Sequence, residues 1–139
     1  MTDSAAAPRA DKDQPVHRVK TLLVDDSPEF LNSASEFLSA IPEIELLARA
    51  ESGREAIRLA KELNPDLVLV DISMPEISGI EVTRILKKHT CPPKIIVLTF
   101  HNNRAYHIAA EQAGADAFVA KADVVATLRP TVRNLFNLP

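Results

Sequence analysis

Short apolar runs alternate with longer segments of helical periodicity over most of the chain. Four of these runs are almost wholly apolar, which is the pattern of strands buried on both faces of a parallel sheet, and a weaker run covers residues 44–50. Because strand-like and helix-like segments alternate, we predict one doubly wound α/β domain with five parallel strands and five helices. The four apolar runs are residues 21–24, 67–70, 95–98 and 117–120.

Capping residues predict where the helices begin and end. Ser27 can accept a hydrogen bond at the start of the first helix, Pro28 suits its first position, and Glu29 favours the positive end of the helix dipole. Gly114 is a good residue to end the fourth helix. The other helices are expected over residues 52–63, after Gly79, and over residues 123–136.

The last predicted helix contains Pro130, and proline removes a backbone hydrogen bond from a helix interior. A kink or an early break is therefore expected at this position. The apolar residues of this segment are interpreted as core residues rather than as a partner surface. They are Val124, Val125, Leu128, Val132, Leu135 and Phe136.

The N-terminal segment differs from the rest of the chain in composition. Residues 1–18 consist largely of Ala, Asp, Pro and basic residues, with almost nothing to bury, so we interpret them as a flexible tail. Residues 19–139 are interpreted as the folded domain. A domain of this length can bury a sizeable core without disulfides or a structural metal.

Composition and charge exclude several classes of function. The formal net charge of −3 gives no reason to expect direct contact with nucleic acid or with an anionic membrane. No segment approaches the roughly 18 apolar residues that a membrane helix needs. Cys91 is the single cysteine, which excludes an internal disulfide and fits the reducing cytoplasm. The sequence thus indicates a cytoplasmic protein of ordinary globular composition.

Polar side chains stand at the C-terminal end of each of the four apolar runs. Asp25 and Asp26 follow the first, Asp71 follows the second, and Thr99 and Lys121 follow the other two. Since an open α/β sheet binds ligands at the carboxyl ends of its strands, we expect these residues to form one site. A lone Asp at a strand end more often caps a helix, and a lone Thr or Lys is usually a turn residue, but the joint pattern favours a site.

The chemistry of this set is that of metal-assisted phosphoryl transfer to an aspartate. Mg²⁺ prefers oxygen ligands, and Asp26 and Asp71 could both bind it directly, with Asp25 acting through a water or as a further ligand. Without a cation the carboxylates repel one another, so at least one should titrate at an elevated value. Transfer to Asp71 also needs the phosphoryl oxygens neutralised, for which Lys121 and Thr99 are placed.

These motifs resemble the receiver domain of two-component response regulators. The resemblance covers residues 19–136 and implies a CheY-like fold with strand order 2-1-3-4-5. It implies that Asp71 accepts phosphate from a histidine kinase or a histidine phosphotransfer protein. It also implies Mg²⁺ held by Asp26, Asp71 and the backbone carbonyl of Ser73, with Asp25 assisting. The matching segments are Val24-Asp25-Asp26-Ser27, Asp71-Ile72-Ser73-Met74-Pro75 with Gly79, Leu98-Thr99, and Phe118-Val119-Ala120-Lys121.

The resemblance further implies a conformational switch and an unidentified output partner. Thr99 and Phe118 match the family's switch pair, whose movement repacks the surface around helix 4, strand 5 and helix 5. Lys121-Ala122-Asp123 is similar to the subgroup often fused to a helix-turn-helix output domain, so the chain is either a stand-alone regulator or an excised receiver. Dimerisation through the final helices is expected by family analogy alone.

Other residues and other classes of protein were weighed beside this interpretation. Phe100 is bulkier than the small residue common after the threonine, and we hypothesise that it slows attack of water on phosphorylated Asp71. His89 and His107 are interpreted as helix-surface residues, and His101 as a solvated loop histidine.

A haloacid-type phosphatase would need Asp-x-Asp, but residue 27 is Ser. A flavin or dinucleotide module would need a Gly-rich or Ser/Thr-rich phosphate loop after the first strand, which the positions of the three glycines do not provide. The stronger alternative is a receiver-fold interaction scaffold that is not phosphorylated.

Overall fold

A computed structural model describes residues 18–100 and 103–139. The predicted tail and His101 lie outside this part of the chain, except for Arg18, whose guanidinium donates to the Ile44 carbonyl at 2.7 Å. The elements follow in the order β1 (Val19–Val24), α1 (Pro28–Ser39), β2 (Ile44–Ala50), α2 (Gly53–Leu63), β3 (Leu67–Asp71), α3 (Gly79–Leu86), β4 (Lys94–Thr99), α4 (Arg104–Ala113), β5 (Ala117–Ala120) and α5 (Val124–Leu135). A short 3₁₀ helix, Lys121–Asp123, joins β5 to α5.

The five strands form one parallel sheet in the order β2-β1-β3-β4-β5. This order confirms the predicted doubly wound architecture. The order reverses between β1 and β3, and such a switch point opens a crevice at the carboxyl ends of the strands. Every residue of β3 is buried, as the continuous apolar run predicted.

The sheet separates two hydrophobic cores. One core contains the inward faces of α1 and α5, including Leu31, Leu38 and Leu128, together with one face of the strands. The other contains residues of α2, α3 and α4, including Ala56, Val82 and Ala110, on the opposite face. Successive residues of β1 show the alternation, since Leu23 lies in the first core and Leu22 and Val24 lie in the second.

Side-chain caps begin the helices that lead away from the strand ends. The Ser27 hydroxyl accepts a hydrogen bond from the Phe30 N–H, and Ser52, Ser78 and Asn103 cap α2, α3 and α4 in the same way. The fourth helix ends at Gly114, which has a left-handed φ of 105°. The predicted caps at Ser27 and Gly114 are therefore confirmed.

The structure contradicts two expectations for the last helix, an early break at Pro130 and a buried Val125. The helix α5 runs unbroken through Pro130, and both Pro130 and Ala126 are exposed, so water can reach the carbonyl that loses its helical partner. Val125 is 73% exposed rather than buried. Val124 packs on the first core, and a helix turns each successive side chain by about 100°, which takes Val125 away from the sheet. The other predicted core residues of α5 are buried or partly buried.

A buried carboxylate anchors α5 on both sides of Pro130. The carboxylate of Glu43, before β2, accepts two hydrogen bonds from the Arg129 guanidinium, each 3.0 Å long. Arg133 lies 3.8 Å from the same carboxylate. The hydrogen bonds from Arg129 hold the pKa of Glu43 below its ordinary value despite the opposing effect of burial. This anchor supports the continuous helix that the proline alone did not predict.

The start of α3 packs tightly against the end of β3. A Cβ atom added to Gly79 would lie 2.0 Å from the carbonyl oxygen of Asp71, and the Gly79 N–H donates to the Ile72 carbonyl at 3.0 Å. Only glycine can occupy this position without moving the backbone that carries Asp71. None of the helices in the described part of the chain combines the length and apolarity that crossing a bilayer requires.

We predict that Gly79→Ala destabilises the domain by about 1–3 kcal/mol, the usual cost of forcing an extra methyl group into a packed site. Urea denaturation followed by circular dichroism measures the loss. Glu81→Ala, at an exposed position of the same helix, should change stability by less than about 0.5 kcal/mol. Equal stability of Gly79→Ala and the wild type would contradict the close packing.

Candidate functional site

The sheet brings the predicted residues to one edge. Asp25 and Asp26 follow β1, Asp71 ends β3, Thr99 ends β4, and Lys121 follows β5. Oxygen atoms of the three aspartates lie within 4.8 Å of one another. The site therefore forms from strands that are neighbours in the sheet but far apart in the chain.

A buried ion-pair network lies at the centre of this edge. The Lys121 ammonium is 2.5 Å from Asp25 Oδ2 and 3.2 Å from Asp71 Oδ1. Asp25 is completely buried, and Asp71 and Lys121 are 6% and 7% exposed. One cation thus neutralises part of the charge on two carboxylates that would otherwise repel each other in a poorly solvated place.

The two aspartates after β1 differ in their surroundings. Both oxygens of Asp25 have partners, because Oδ1 accepts the Ser27 N–H at 2.9 Å and Oδ2 accepts from Lys121. Asp26 is exposed at the same edge. Asp26 therefore has a carboxylate open to an incoming ligand, whereas Asp25 is held in place from both sides.

Burial raises the pKa of Asp71 from an ordinary value of 3.8 to about 6. The negative charge of Asp25 acts in the same direction, and Asp26 adds a smaller effect. The charge and the hydrogen bond of Lys121 oppose the increase but do not cancel it. Burial and the two neighbouring carboxylates together therefore outweigh the effect of Lys121 on the pKa of Asp71.

The donor set fits a hard divalent cation. Carboxylate oxygens are the ligands that Mg²⁺ prefers, and three of them lie close enough to share one ion. A cation bound beside Asp71 would stabilise its ionised form, which burial disfavours. Ser73 is exposed two residues after the end of β3, and its carbonyl stays a predicted ligand.

The predicted switch residues lie on the two strands beyond Asp71. Thr99 is completely buried at the end of β4. Phe118 of β5 is half-buried, and its ring stacks on the His107 ring of α4 with centroids 3.6 Å apart. His107 is exposed, as expected of a helix-surface residue, yet it makes this contact with the switch position. The contact joins residues on different elements, so no local pattern in the sequence could predict it.

Two phenylalanines surround the Lys121 ammonium. The nitrogen lies 4.2 Å from the centroid of the Phe30 ring and 4.8 Å from that of Phe100. Phe100 was expected near the site, whereas Phe30 was not recognised from the sequence. The available signal was its place in the first turn of α1, four residues after Asp26, because a helix that starts at the edge of the site can turn a residue of its first turn toward the site.

Comparison with known proteins agrees with this geometry. The family model for the response regulator receiver domain matches residues 21–133. The transcriptional regulatory protein LiaR of Bacillus subtilis is 35% identical over 117 residues, which cover 83% of this chain and 54% of LiaR. A protein-glutamate methylesterase/protein-glutamine glutaminase of Geobacillus kaustophilus is 39% identical over 104 residues, covering 74% of this chain and 30% of that protein.

A similar solved structure is a two-component response regulator of the LuxR family from an Aurantimonas species. It superposes with a TM-score of 0.81 at 29% sequence identity, and the match covers 86% of each chain. The present chain spans about half the length of LiaR and less than a third of the methylesterase. Receiver domains like this one therefore occur in longer proteins with different remaining parts.

We predict that Asp71 titrates near pH 6 in the metal-free protein. In Lys121→Gln its pKa should rise further, because both effects that lower it are lost. In Asp25→Asn it should fall, because the repulsive charge is removed and Lys121 is left to Asp71 alone. Carboxyl ¹³C chemical shifts followed against pH measure these values. Lys88→Gln, an exposed change, is the control; a shift there as large as in Lys121→Gln would contradict the assignment of causes.

Proposed function

This chain belongs to the response regulator receiver domain family, a class of signalling modules, and on that basis we propose that Asp71 accepts a phosphoryl group from a phosphohistidine donor. The observation that best supports this function is the buried Lys121 ammonium shared between Asp25 and Asp71 at the carboxyl edge of the sheet. A structural ion pair would need one carboxylate, whereas here two carboxylates share one cation and a third, that of Asp26, has an oxygen within 4.8 Å of both. The surplus of negative charge is suited to Mg²⁺, whose charge would then offset that of the incoming phosphoryl group.

The proposed reaction is an in-line displacement at phosphorus. An oxygen of the ionised Asp71 carboxylate forms the new P–O bond, the P–N bond to the donor imidazole breaks, and the imidazole nitrogen keeps the electron pair and takes up a proton. Lys121, 3.2 Å from Asp71 Oδ1, is placed to donate to an oxygen of the transferred group. Thr99, at the end of the next strand, would supply a hydroxyl to another of these oxygens.

The proposed cofactor is Mg²⁺, held by Asp26, Asp71 and the Ser73 carbonyl. Bound there, the ion supplies positive charge against the phosphoryl oxygens. Asp25 fits an assisting role, because its oxygens are already engaged by the Ser27 N–H and by Lys121. Asp26, exposed at the edge, fits the role of a direct ligand.

The proposed output is a change of the surface around α4, β5 and α5. When Asp71 gains a phosphoryl group, Thr99 and Phe118 would move and alter that surface, and with it a partner protein or an output domain. A histidine kinase or a histidine phosphotransfer protein would be the donor, in the cytoplasm. We propose no direct binding of nucleic acid by this domain or by its acidic edge.

We predict that the chain incubated with Mg²⁺ and acetyl phosphate gains the mass of one phosphoryl group, as measured by intact mass spectrometry. Asp71→Ala should show no gain. Asp123→Ala is the matched control, since Asp123 is an exposed aspartate whose side chain caps nothing, and it should gain mass like the wild type. Removal of Mg²⁺ with a chelator should abolish the gain in the wild type and in Asp123→Ala.

The same experiment separates this function from a scaffold that is not phosphorylated. No mass gain in the wild type, or an equal gain in Asp71→Ala, would overturn the phosphoacceptor role. The complete set of Asp25, Asp26, Thr99 and Lys121 in one site favours phosphorylation over the scaffold.

We also predict that Phe100→Ala shortens the lifetime of the aspartyl phosphate. The Phe100 ring lies over the Lys121 ammonium, so its removal opens the path of water to Asp71. Loss of the phosphoryl mass after removal of the donor measures the lifetime. Leu63→Ala removes another exposed apolar side chain, at the end of α2 and therefore at the opposite edge of the sheet, and should leave the lifetime unchanged. Identical lifetimes for Phe100→Ala and the wild type would exclude this shielding role.

A further inference from the structure

We propose that Phe30 and Phe100 act as positioning residues for Lys121 and form an aromatic clamp that directs its ammonium toward Asp71. The ring centroids lie 4.2 and 4.8 Å from the ammonium nitrogen. Both distances are within the roughly 6 Å over which a ring face attracts a cation. The inference rests on the proposed function, because it concerns how the counter-charge for phosphoryl transfer is held in place.

The lysine side chain needs such restraint. Its four-carbon stem is flexible and its ammonium is strongly hydrated in water, yet the Lys121 side chain is only 4% exposed. Two carboxylates replace part of the hydration that the ammonium has lost, and the two ring faces cover other sides of the nitrogen. The clamp thus lowers the cost of keeping a desolvated ammonium at the edge of the sheet.

A ring face also suits a cation that must change partners. The attraction between an ammonium and an aromatic face does not require one N–H to point at one acceptor, as a hydrogen bond does. Lys121 can therefore turn an N–H from Asp71 to an oxygen of the phosphoryl group while both rings stay in contact. A third carboxylate in place of a ring would instead keep the ammonium from turning toward the phosphoryl group.

The two rings are held differently. Phe30 is half-buried in the first turn of α1 and packs on the core formed with α5, so its position is set by the fold. Phe100 follows Thr99 and is 71% exposed. Phe30 is consequently the fixed side of the clamp and the better position for a test.

The test compares Phe30→Leu, which keeps an apolar side chain but removes the ring, with Phe30→Tyr, which keeps the ring. Phosphorylation by acetyl phosphate at saturating Mg²⁺ should slow about five- to tenfold in Phe30→Leu and stay within about twofold of the wild type in Phe30→Tyr. Phe37→Leu is the matched control, because Phe37 lies on the same helix and packs on the same core. It should phosphorylate like the wild type.

Two further readouts distinguish positioning from a general loss of structure. In a Lys121→Ala background, Phe30→Leu should cause no further slowing, because the ring acts through the ammonium. In the metal-free wild type, the ε-methylene protons of Lys121 should resonate upfield under the ring currents of both aromatic side chains. Phe30→Leu should move them downfield, and Phe37→Leu should not.

The clamp is overturned if Phe30→Leu slows phosphorylation equally with and without Lys121, or if it leaves the Lys121 proton shifts unchanged. Should Phe30→Leu not fold, Phe100→Leu at the exposed side of the clamp gives the same comparison. A wild type that takes up no phosphoryl group would defeat the proposed function, whereas the proton shifts would still decide whether the rings hold the ammonium.

Discussion

The buried ammonium of Lys121 is the constraint on which the rest of the site depends. It binds Asp25, which lies 96 positions earlier in the chain, and it keeps two carboxylates close together where water cannot screen their charges. The parallel register brings the strand ends to one edge, and the cap at Ser27 begins α1 where its first turn reaches Lys121. Sheet, caps and charge are therefore parts of one arrangement rather than separate features.

Most of this arrangement could be predicted from the sequence, because it depends on local patterns of apolar and capping residues. Apolar runs ending in polar residues identified four strands and the site residues together, and Ser27 and Gly114 predicted helix ends through the backbone geometry they favour. The strand order came from the resemblance carried by those same residues. The assignment of roles to Asp71 and Thr99 followed from their places at strand ends, and it stays a proposal about chemistry.

The features that the sequence did not predict are contacts between distant elements. Val125 was counted with the apolar face of α5, but Val124 packs on the first core and the helix turns the next side chain away from the sheet. The continuity of α5 through Pro130 is supported by Glu43, which lies in another loop. The rings of Phe30 and His107 reach their partners across elements, so periodicity and capping rules carry no information about them.

The division of the interior into two cores by the sheet has a consequence for how the domain can vary. Side chains of the α1–α5 core and those of the α2–α4 core form separate clusters with the backbone of the sheet between them. Substitutions in different clusters have few shared partners, so their effects on the free energy of unfolding should add. The α2–α4 core can thus change in sequence while the α1–α5 core maintains the stability of the sheet edge that carries the site.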